Sequence, residues 1–501
     1  MTLPGAGRIS ITFFVSLAIS LALTRAVREF ALRRRIVDAV DSSRKLHARE
    51  IPRLGGIAIV CAFFLALGIA AFAGDGLGSA FVDDPVRIAT LIGGAAALAL
   101  LGLADDLCSL SARWKLIGQI GVSVAVFAAG TRITAVVCPG IGEVDLGAFA
   151  LPATVVWIVG IVNAMNLIDG LDGLAAGISV LALGTIAAIA AFSGDAVTAA
   201  VLVVALGAVL GFLRYNFHPA SIFMGDAGSM FLGFLLAVSA IVVGQRASNA
   251  VALGVPLAVL AVPIADTSLS IARRILRGRS IFSADREHIH HALLDAGVPH
   301  RRAVLILCGV SALFCAVALG AALMGGPFVA AFALFLCAGA ALSLRKLQLR
   351  GLAAGRPLGE ERRRNRALRD AVKVVAGRLR SATTVPEVLE MLAPIPEVVS
   401  ASRACAFVRA AGLRRDFQAE RATQGPVFSA CFAIGKPSFA DVEVYWNDGR
   451  SRIDRDDEIA LQRICVFVER ALRRIDPETV LAASGTAAQT DRNLAARAQT
   501  G

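Results

Sequence analysis

Charge is scarce in this chain. Only 18% of its 501 residues are Asp, Glu, Lys or Arg, 56% are hydrophobic, and the mean hydropathy is +0.70. That balance excludes a single soluble globule and reads as a polytopic membrane protein. Paired cysteine is also missing. The nine cysteines are scattered without a CxxC, several inside apolar runs, so neither a disulfide framework nor a cysteine zinc site is implied. No GxxxxGK[ST] loop is present, which argues against an ATP-driven machine. No small-residue cleavage site ends the apolar stretch 8–24, and "RRR" at 33–35 follows it rather than precedes it; a retained first membrane helix is expected. Solenoid repeats are absent. Histidine is rare, and four of the six fall within "DREHIHHALLDAGVPHRR" (285–302).

What is abundant is apolar sequence in lengths that span a bilayer, about 20 residues each. An all-α membrane domain of about eleven spans is expected, near 8–26, 54–74, 86–104, 115–130, 151–165, 174–192, 195–213, 227–244, 249–271, 303–323 and 326–344. The net charge of +12 raises the possibility of nucleic-acid binding, but the basic residues sit mainly on alternate loops, after the first and ninth spans. That is how topology is encoded, so no nucleic-acid partner is expected; the N-terminus is placed outside, and the basic loops and the C-terminal tail in the cytoplasm. Residues 1–344 then form the membrane domain, and 345–364 a charged linker. Residues 365–478 read as a small soluble α/β domain closed by the amphipathic helix of "DRDDEIALQRICVFVERALRRI", and 479–501 as a disordered tail.

Within the membrane domain, every strongly polar cluster falls on the cytoplasmic side of this topology. In "LADDLCSLSARWK" (103–115), Asp105 and Asp106 diverge by about 100° on a helix and are not expected to share one job. A break at "SLSA" makes a helical hairpin that returns Lys115 to the level of the aspartates; a capped turn with a topology-setting lysine explains the cluster as well. In "NAMNLIDGLDGLAAG" (163–177), Asn163, Asn166, Asp169 and Asp172 recur every third residue as a polar stripe at the end of the fifth span. Gly170 and Gly173 permit a non-helical break and the close approach of phosphates. Carboxylates and amides abutting the membrane are costly, which favours function over a simple capped turn.

In "FMGDAGS" (223–229), Asp226 stands where a helix N-terminus is expected, and a carboxylate beside free backbone amides suits a metal-bound phosphate. Phe223 is available to stack on a base, although an aromatic at this level is more often an interface anchor. His288, His290 and His291 do not converge for zinc on either a regular helix or a strand. Beside Arg286 they read as a donor-rich surface for anionic oxygens, with His47 of "RKLHAREIPRLGG" on the same side. Asp, Asn, Lys, Arg and His gathered at one membrane face suit magnesium and polyphosphate chemistry between a soluble nucleotide-activated donor and a lipid acceptor. An ion-coupled transporter would instead place polar groups near the midplane of both halves of a repeat.

Together these clusters, in this order over roughly 40–302, resemble the polyprenyl-phosphate N-acetylhexosaminyl-1-phosphate transferase family. The "HIHH" form resembles the branch that makes undecaprenyl-diphosphate-GlcNAc for O-antigen, enterobacterial common antigen or teichoic acid. The peptidoglycan branch, which transfers phospho-MurNAc-pentapeptide, usually has three consecutive histidines, so Ile289 speaks against it.

The resemblance implies transfer of sugar 1-phosphate from a UDP-N-acetylhexosamine to undecaprenyl phosphate with release of UMP, at the bacterial cytoplasmic membrane. Asp226 is then the first choice as ligand of Mg2+ (or Mn2+), with Asn166 and Asp169 assisting. Lys115 neutralises phosphate charge, and Asp105 or Asp106 orients the lipid phosphate. Asn163, Asp172, Arg286, His47 and the histidines bind the donor, and Phe223 covers the uracil. The C-terminal domain weakly resembles a GAF-like sensory domain; binding a regulator, binding another glycan-pathway protein and homodimerisation all remain open for it.

Overall fold

The computed structural model describes residues 6–34, 36, 51–72, 85–138, 142–246, 254–276, 288–324, 338–339, 358–409, 412–418, 427–435, 438–448 and 453–475. The chain divides into two compact units, one holding nearly all of the N-terminal helices and one formed mainly by residues after 354.

The helical unit comprises α1 (Ala6–Arg33), α2 (Gly55–Phe72), α3 (Pro85–Cys108), α4 (Ala112–Ala128), a hairpin of β1 (Ala135–Cys138) and β2 (Gly142–Asp145), and α5 (Ala150–Ile168). It continues with α6 (Leu174–Phe192), α7 (Ala196–Asn216), α8 (Gly225–Arg246), α9 (Gly254–Val259), α10 (Ala261–Leu276), α11 (Ile289–Asp295) and α12 (His300–Met324). Among the described residues, eight helices are long and apolar enough to cross a membrane: α1, α2, α3, α5, α6, α7, α8 and α12. They answer eight of the eleven expected spans. Of the other three, the fourth is the 17-residue α4, and the eleventh lies almost wholly outside the described residues.

The ninth expected span is broken into α9 and α10. Pro263 has no N–H to donate to Val259 one turn back, so the ladder lapses at that point, and Leu260 donates to Pro256 O at 3.1 Å.

Helix α8 is the axis of this unit. It packs against α2, α3, α5, α6 and α9, and the whole of its 18-residue apolar window is buried. Small residues let the helices approach. Gly207 and Gly211 of α7 lie against the α1 backbone, where Ser16 Oγ donates to Val204 O at 2.6 Å and Ser20 Oγ to Ala208 O at 2.5 Å. At the N-terminal end of α8, Gly228 meets Gly56 of α2, and Gly102 of α3 lies against the backbone of Asp226 and Ala227. A side chain at any of these three glycines would force the helices apart where the polar clusters meet.

The second unit contains α13 (Leu358–Ser381), α14 (Val385–Glu390), α15 (Ile395–Val398), β3 (Arg403–Val408), β4 (Leu413–Gln418), β5 (Phe428–Ile434), β6 (Ala440–Trp446) and α16 (Arg455–Ile475). Its antiparallel sheet has the order β4-β3-β6-β5. Alternation along β6 turns Ala440, Val442, Val444 and Trp446 inward and Asp441, Glu443 and Tyr445 outward. The inward set joins Leu461, Ile464 and Val468 of α16 and Val375 and Leu379 of α13 in one core. These residues form a small α/β unit whose sheet α16 packs against.

Candidate active site

The site begins with a helical hairpin. α3 ends at Cys108, Ser109 takes a positive φ of 51°, and α4 starts after the N-cap Ser111. The reversal expected at "SLSA" sets Lys115 beside the end of α3. Its Nζ donates to Asp105 Oδ2 at 2.9 Å and to Asp226 Oδ2, from the first turn of α8, at 2.9 Å. One ammonium thus bridges two carboxylates from different helices, all three partly buried.

Asp106 does a separate job, as its divergence from Asp105 implied. Its Oδ1 accepts the N–H of Asp226 at 2.9 Å and its Oδ2 the N–H of Ala227 at 3.0 Å. Two amides expected to be free for a phosphate are therefore already taken, because a carboxylate from α3 caps α8. Gly225, at φ 74°, makes this possible: a side chain there would collide with Asp106 and with the carbonyl of Arg53. The segment before α2 is laced onto the same turn. Phe223 N donates to Pro52 O at 2.8 Å, Gly55 N to Phe223 O at 2.9 Å and Gly56 N to Met224 O at 2.7 Å. Phe223 itself is half-buried.

The expected stripe on the fifth span is dispersed. α5 stops at Ile168 with Asp169 as its C-cap, and Gly173, at φ 79°, opens α6, so the four residues cannot share one helical face. Asn163 faces α4, donating to Gln119 Oε1 at 2.6 Å and to Val159 O at 2.8 Å. Asn166 faces α8, donating to Ser229 Oγ at 3.1 Å. Asp169 lies in the turn. Burial, and after it the carboxylates of Asp226, Asp106 and Asp172, push its carboxyl well above the usual carboxylate range, with Arg53 opposing.

Asp172, only 4% exposed, is turned to α7 and the loop after it. Its Oδ2 receives His218 Nδ1 at 2.8 Å and the N–H of Ala220 at 3.0 Å, while its own N–H donates to His300 Nε2 at 3.1 Å. The His218 and His300 rings are stacked with centroids 4.3 Å apart. Ligand atoms of this trio lie within 4.8 Å of one another, close enough to hold an ion. The carboxylate and His300 Nε2 are nonetheless already satisfied by hydrogen bonds.

Within the histidine segment, His288 and His290 do not lie on the donor-rich surface expected of them. His288 is 4% exposed and His290 1%. His288 lies outside α11 as its N-cap, which removes the regular helical offset; the two rings run parallel, 3° apart in plane, with centroids separated by 5.5 Å. Both face Asp266 of α10, whose Oδ2 is 3.2 Å from His288 Nδ1 and 3.8 Å from His290 Nδ1. Burial, then the charge of His291, pushes the His290 imidazole down to about 3. It is therefore neutral at physiological pH and offers a phosphate no charge. His291 is half-buried beside it, with ring centroids 4.4 Å apart. His47 and Arg286 lie outside the described residues.

Sequence reasoning missed Asp266, Gln119, Ser229 and His218. A carboxylate in the apolar run "VPLAVLAVPIADTSLS" was a signal for Asp266, since such a charge is costly unless it is used. His218 stands shortly before "FMGDAGS" as a lone histidine between two apolar runs, with no local pattern to mark it. Gln119 and Ser229 carry no signal beyond a polar atom on an apolar helix.

Residues 88–244, the stretch holding most of these groups, match the model of glycosyl transferase family 4. The chain is 38% identical over 310 residues to the Bacillus subtilis "Probable undecaprenyl-phosphate N-acetylglucosaminyl 1-phosphate transferase", covering 61% of this chain and 83% of that protein. It is 38% identical over 298 residues to the "Decaprenyl-phosphate N-acetylglucosaminephosphotransferase" of Mycobacterium tuberculosis H37Rv, covering 54% of this chain and 72% of that one. To the "Phospho-N-acetylmuramoyl-pentapeptide-transferase" of Halalkalibacterium halodurans it is 31% identical over 329 residues, covering 62% and 96%. A polytopic helical protein with aspartates, lysine and amides gathered at one end of a buried helix, this chain belongs to the polyprenyl-phosphate N-acetylhexosaminyl-1-phosphate transferase family.

Proposed function

We propose that this protein transfers N-acetylhexosamine 1-phosphate, with GlcNAc as the sugar, from a UDP-sugar to undecaprenyl phosphate, releasing UMP as the first step of an envelope polysaccharide. The observation that carries the reading is the Asp105–Lys115–Asp226 bridge, with both carboxylates 2.9 Å from one ammonium. An oxygen of the lipid phosphate attacks the donor's β-phosphorus. The bond from that phosphorus to the oxygen bridging toward the α-phosphorus breaks, and UMP leaves with that oxygen. Such a displacement needs positioning and charge neutralisation more than covalent help.

Lys115 neutralises the phosphates. Asp105 orients the lipid phosphate and accepts any proton it carries, a light task for a phosphate whose second pKa is about 6. Asp106, bound to two amides, holds α8 and thereby Asp226 in place. The donor set fits a hard divalent cation, since oxygens of Asp105 and Asp226 already converge on one positive atom. Asp226, with Asn166 and Asp169, would hold Mg2+ or Mn2+, which supplies charge neutralisation to the diphosphate. His291 and Phe223 contact the donor, while Asp172 anchors the loop after α7. The site faces the cytoplasm of the bacterial inner membrane, with the N-terminus on the other side, and the C-terminal unit is a GAF-like regulatory or dimerisation module.

Ile289 within the histidine motif and the 38% identity to the Bacillus subtilis and Mycobacterium tuberculosis enzymes favour the first branch. The test is UMP release from UDP-GlcNAc, UDP-GalNAc and UDP-6-deoxy-N-acetylhexosamines by membranes containing the protein, supplied with undecaprenyl phosphate and Mg2+ or Mn2+. Turnover that stops on chelation and in Asp226→Asn supports the proposal; transport without turnover rejects it.

A further inference from the structure

We propose that Asp266 is a positioning residue: it holds His288 and His290 with their Nδ1–H groups toward its carboxylate and, through His290, sets the loop that carries Asp169. Asp266 is 2% exposed, on the α10 that follows the Pro263 break. Its Oδ1 accepts the N–H of Ile289 at 2.8 Å, which fixes the start of α11, while its Oδ2 faces both imidazoles at 3.2 and 3.8 Å.

Both Nδ1 atoms are buried, and among the described residues neither makes a hydrogen bond of full geometry; the Asp266 carboxylate is the acceptor that faces them. A buried ring N–H left without an acceptor is costly, and Asp266 is the carboxylate placed to receive the two. A proton on Nδ1 leaves Nε2 as the lone-pair nitrogen of a neutral ring.

At its far end His290 meets the acidic turn. A Cβ on Gly170 would stand 2.8 Å from His290 Nε2, so the ring rests on the residue next to Asp169 and only glycine leaves room for it. The order of contact is Asp266, His290, Gly170. A carboxylate on one helix thereby fixes a ring, and the ring fixes a turn, without touching substrate. Sub-ångström placement of such a turn matters, since a shift of about 1 Å can cost on the order of 10²-fold in rate.

Asp266→Asn is the discriminating variant. Its amide oxygen still accepts from Ile289, but its NH2 now points at the two Nδ1 atoms, so both rings must move their proton to Nε2. The full-length protein, labelled with 15N-histidine in detergent, contains six histidines. His288 and His290 can be assigned by single substitution and their tautomers read by NMR.

In the wild type both are expected as Nδ1–H, and in Asp266→Asn both as Nε2–H. Turnover of UDP-GlcNAc is expected to fall about 10²-fold, with partial recovery in Asp266→Glu. Gly170→Ala, which displaces His290 from the other side, should lose turnover with the tautomers unchanged. Tautomers that ignore Asp266→Asn, or wild-type turnover in that variant, overturn the proposal. If Asp266→Asn does not fold, Nε2–H at both rings of the wild type does so alone. The kinetic arm rests on the transferase reading, whereas the NMR arm does not; a wild type without turnover would remove that reading and leave the tautomers to decide the role of Asp266.

Discussion

Asp106 holds the backbone of its fellow aspartate: its Oδ1 accepts the Asp226 N–H at 2.9 Å, and its Oδ2 the following amide at 3.0 Å. Adjacent in sequence, Asp105 and Asp106 therefore have distinct physical roles, one electrostatic and one architectural. Asp106→Asn turns one acceptor into a donor aimed at an N–H, so the protein should lose about 1–3 kcal/mol of stability together with activity. Asp105→Asn should lose activity with an unchanged melting temperature. Thermal unfolding in detergent, set beside UMP release, separates the two, and equal melting shifts would refute the division.

Asp169 offers a test of sign. Its folded-state pKa is raised by burial and neighbouring carboxylates, so the folded protein carries the ionised form at a cost. The stability this group contributes is present below the ordinary carboxylate pKa and is lost as pH rises toward the raised value. Asp169→Asn should therefore raise the melting temperature at neutral pH, the gain shrinking as pH falls through the carboxylate range, while turnover is lost. A variant destabilised at pH 7 would contradict this.

Gly102→Ala adds one methyl group where α3 touches the backbone of Asp226 and Ala227. Overpacking of this kind costs about 1–3 kcal/mol, and here it also pries Asp226 away from Lys115. Turnover should fall although no polar atom has been removed. Gly93→Ala, on the same helix with open space around it, is the control and should keep the wild-type rate with stability equal or slightly raised.

The C-terminal unit has its own core around Trp446, which is fully buried with Nε1 donating to Val399 O at 3.1 Å. A fragment of residues 355–478 should unfold cooperatively, with Trp446→Ala costing about 3–5 kcal/mol as read by chemical denaturation. Deletion of residues 360–501 should leave basal UMP release intact. A dead but well-folded truncation would make the tail part of the catalytic machinery.

Hydropathy was enough to mark the eight long apolar helices, and polar residues next to apolar runs, too costly there to be incidental, pointed to Asp105, Lys115, Asn166 and Asp226, which the fold gathers at one end of α8. Pairing was harder to read. A three-residue spacing suggested one face for Asn163, Asn166, Asp169 and Asp172, but the glycines end the helix and send each residue to a different neighbour: Gln119, Ser229, the turn itself and His218. Asp266 and His290 are separated by 24 positions along the chain, and their meeting depends on tertiary packing that local periodicity does not encode. The amides of α8 looked available because the sequence shows where a helix starts, and not which carboxylate already caps it.

Helix α8 lies behind a ring of other helices, and its apolar window is entirely buried. The spans that touch lipid can tilt or shift when bilayer thickness does not match their length, at a cost of fractions of a kcal/mol per ångström. α8 has no lipid contact along that window through which to feel the mismatch. Asp226 stands at the end of a mast stepped inside the protein, and its height relative to Lys115 is set by protein packing rather than by the thickness of whichever membrane surrounds it.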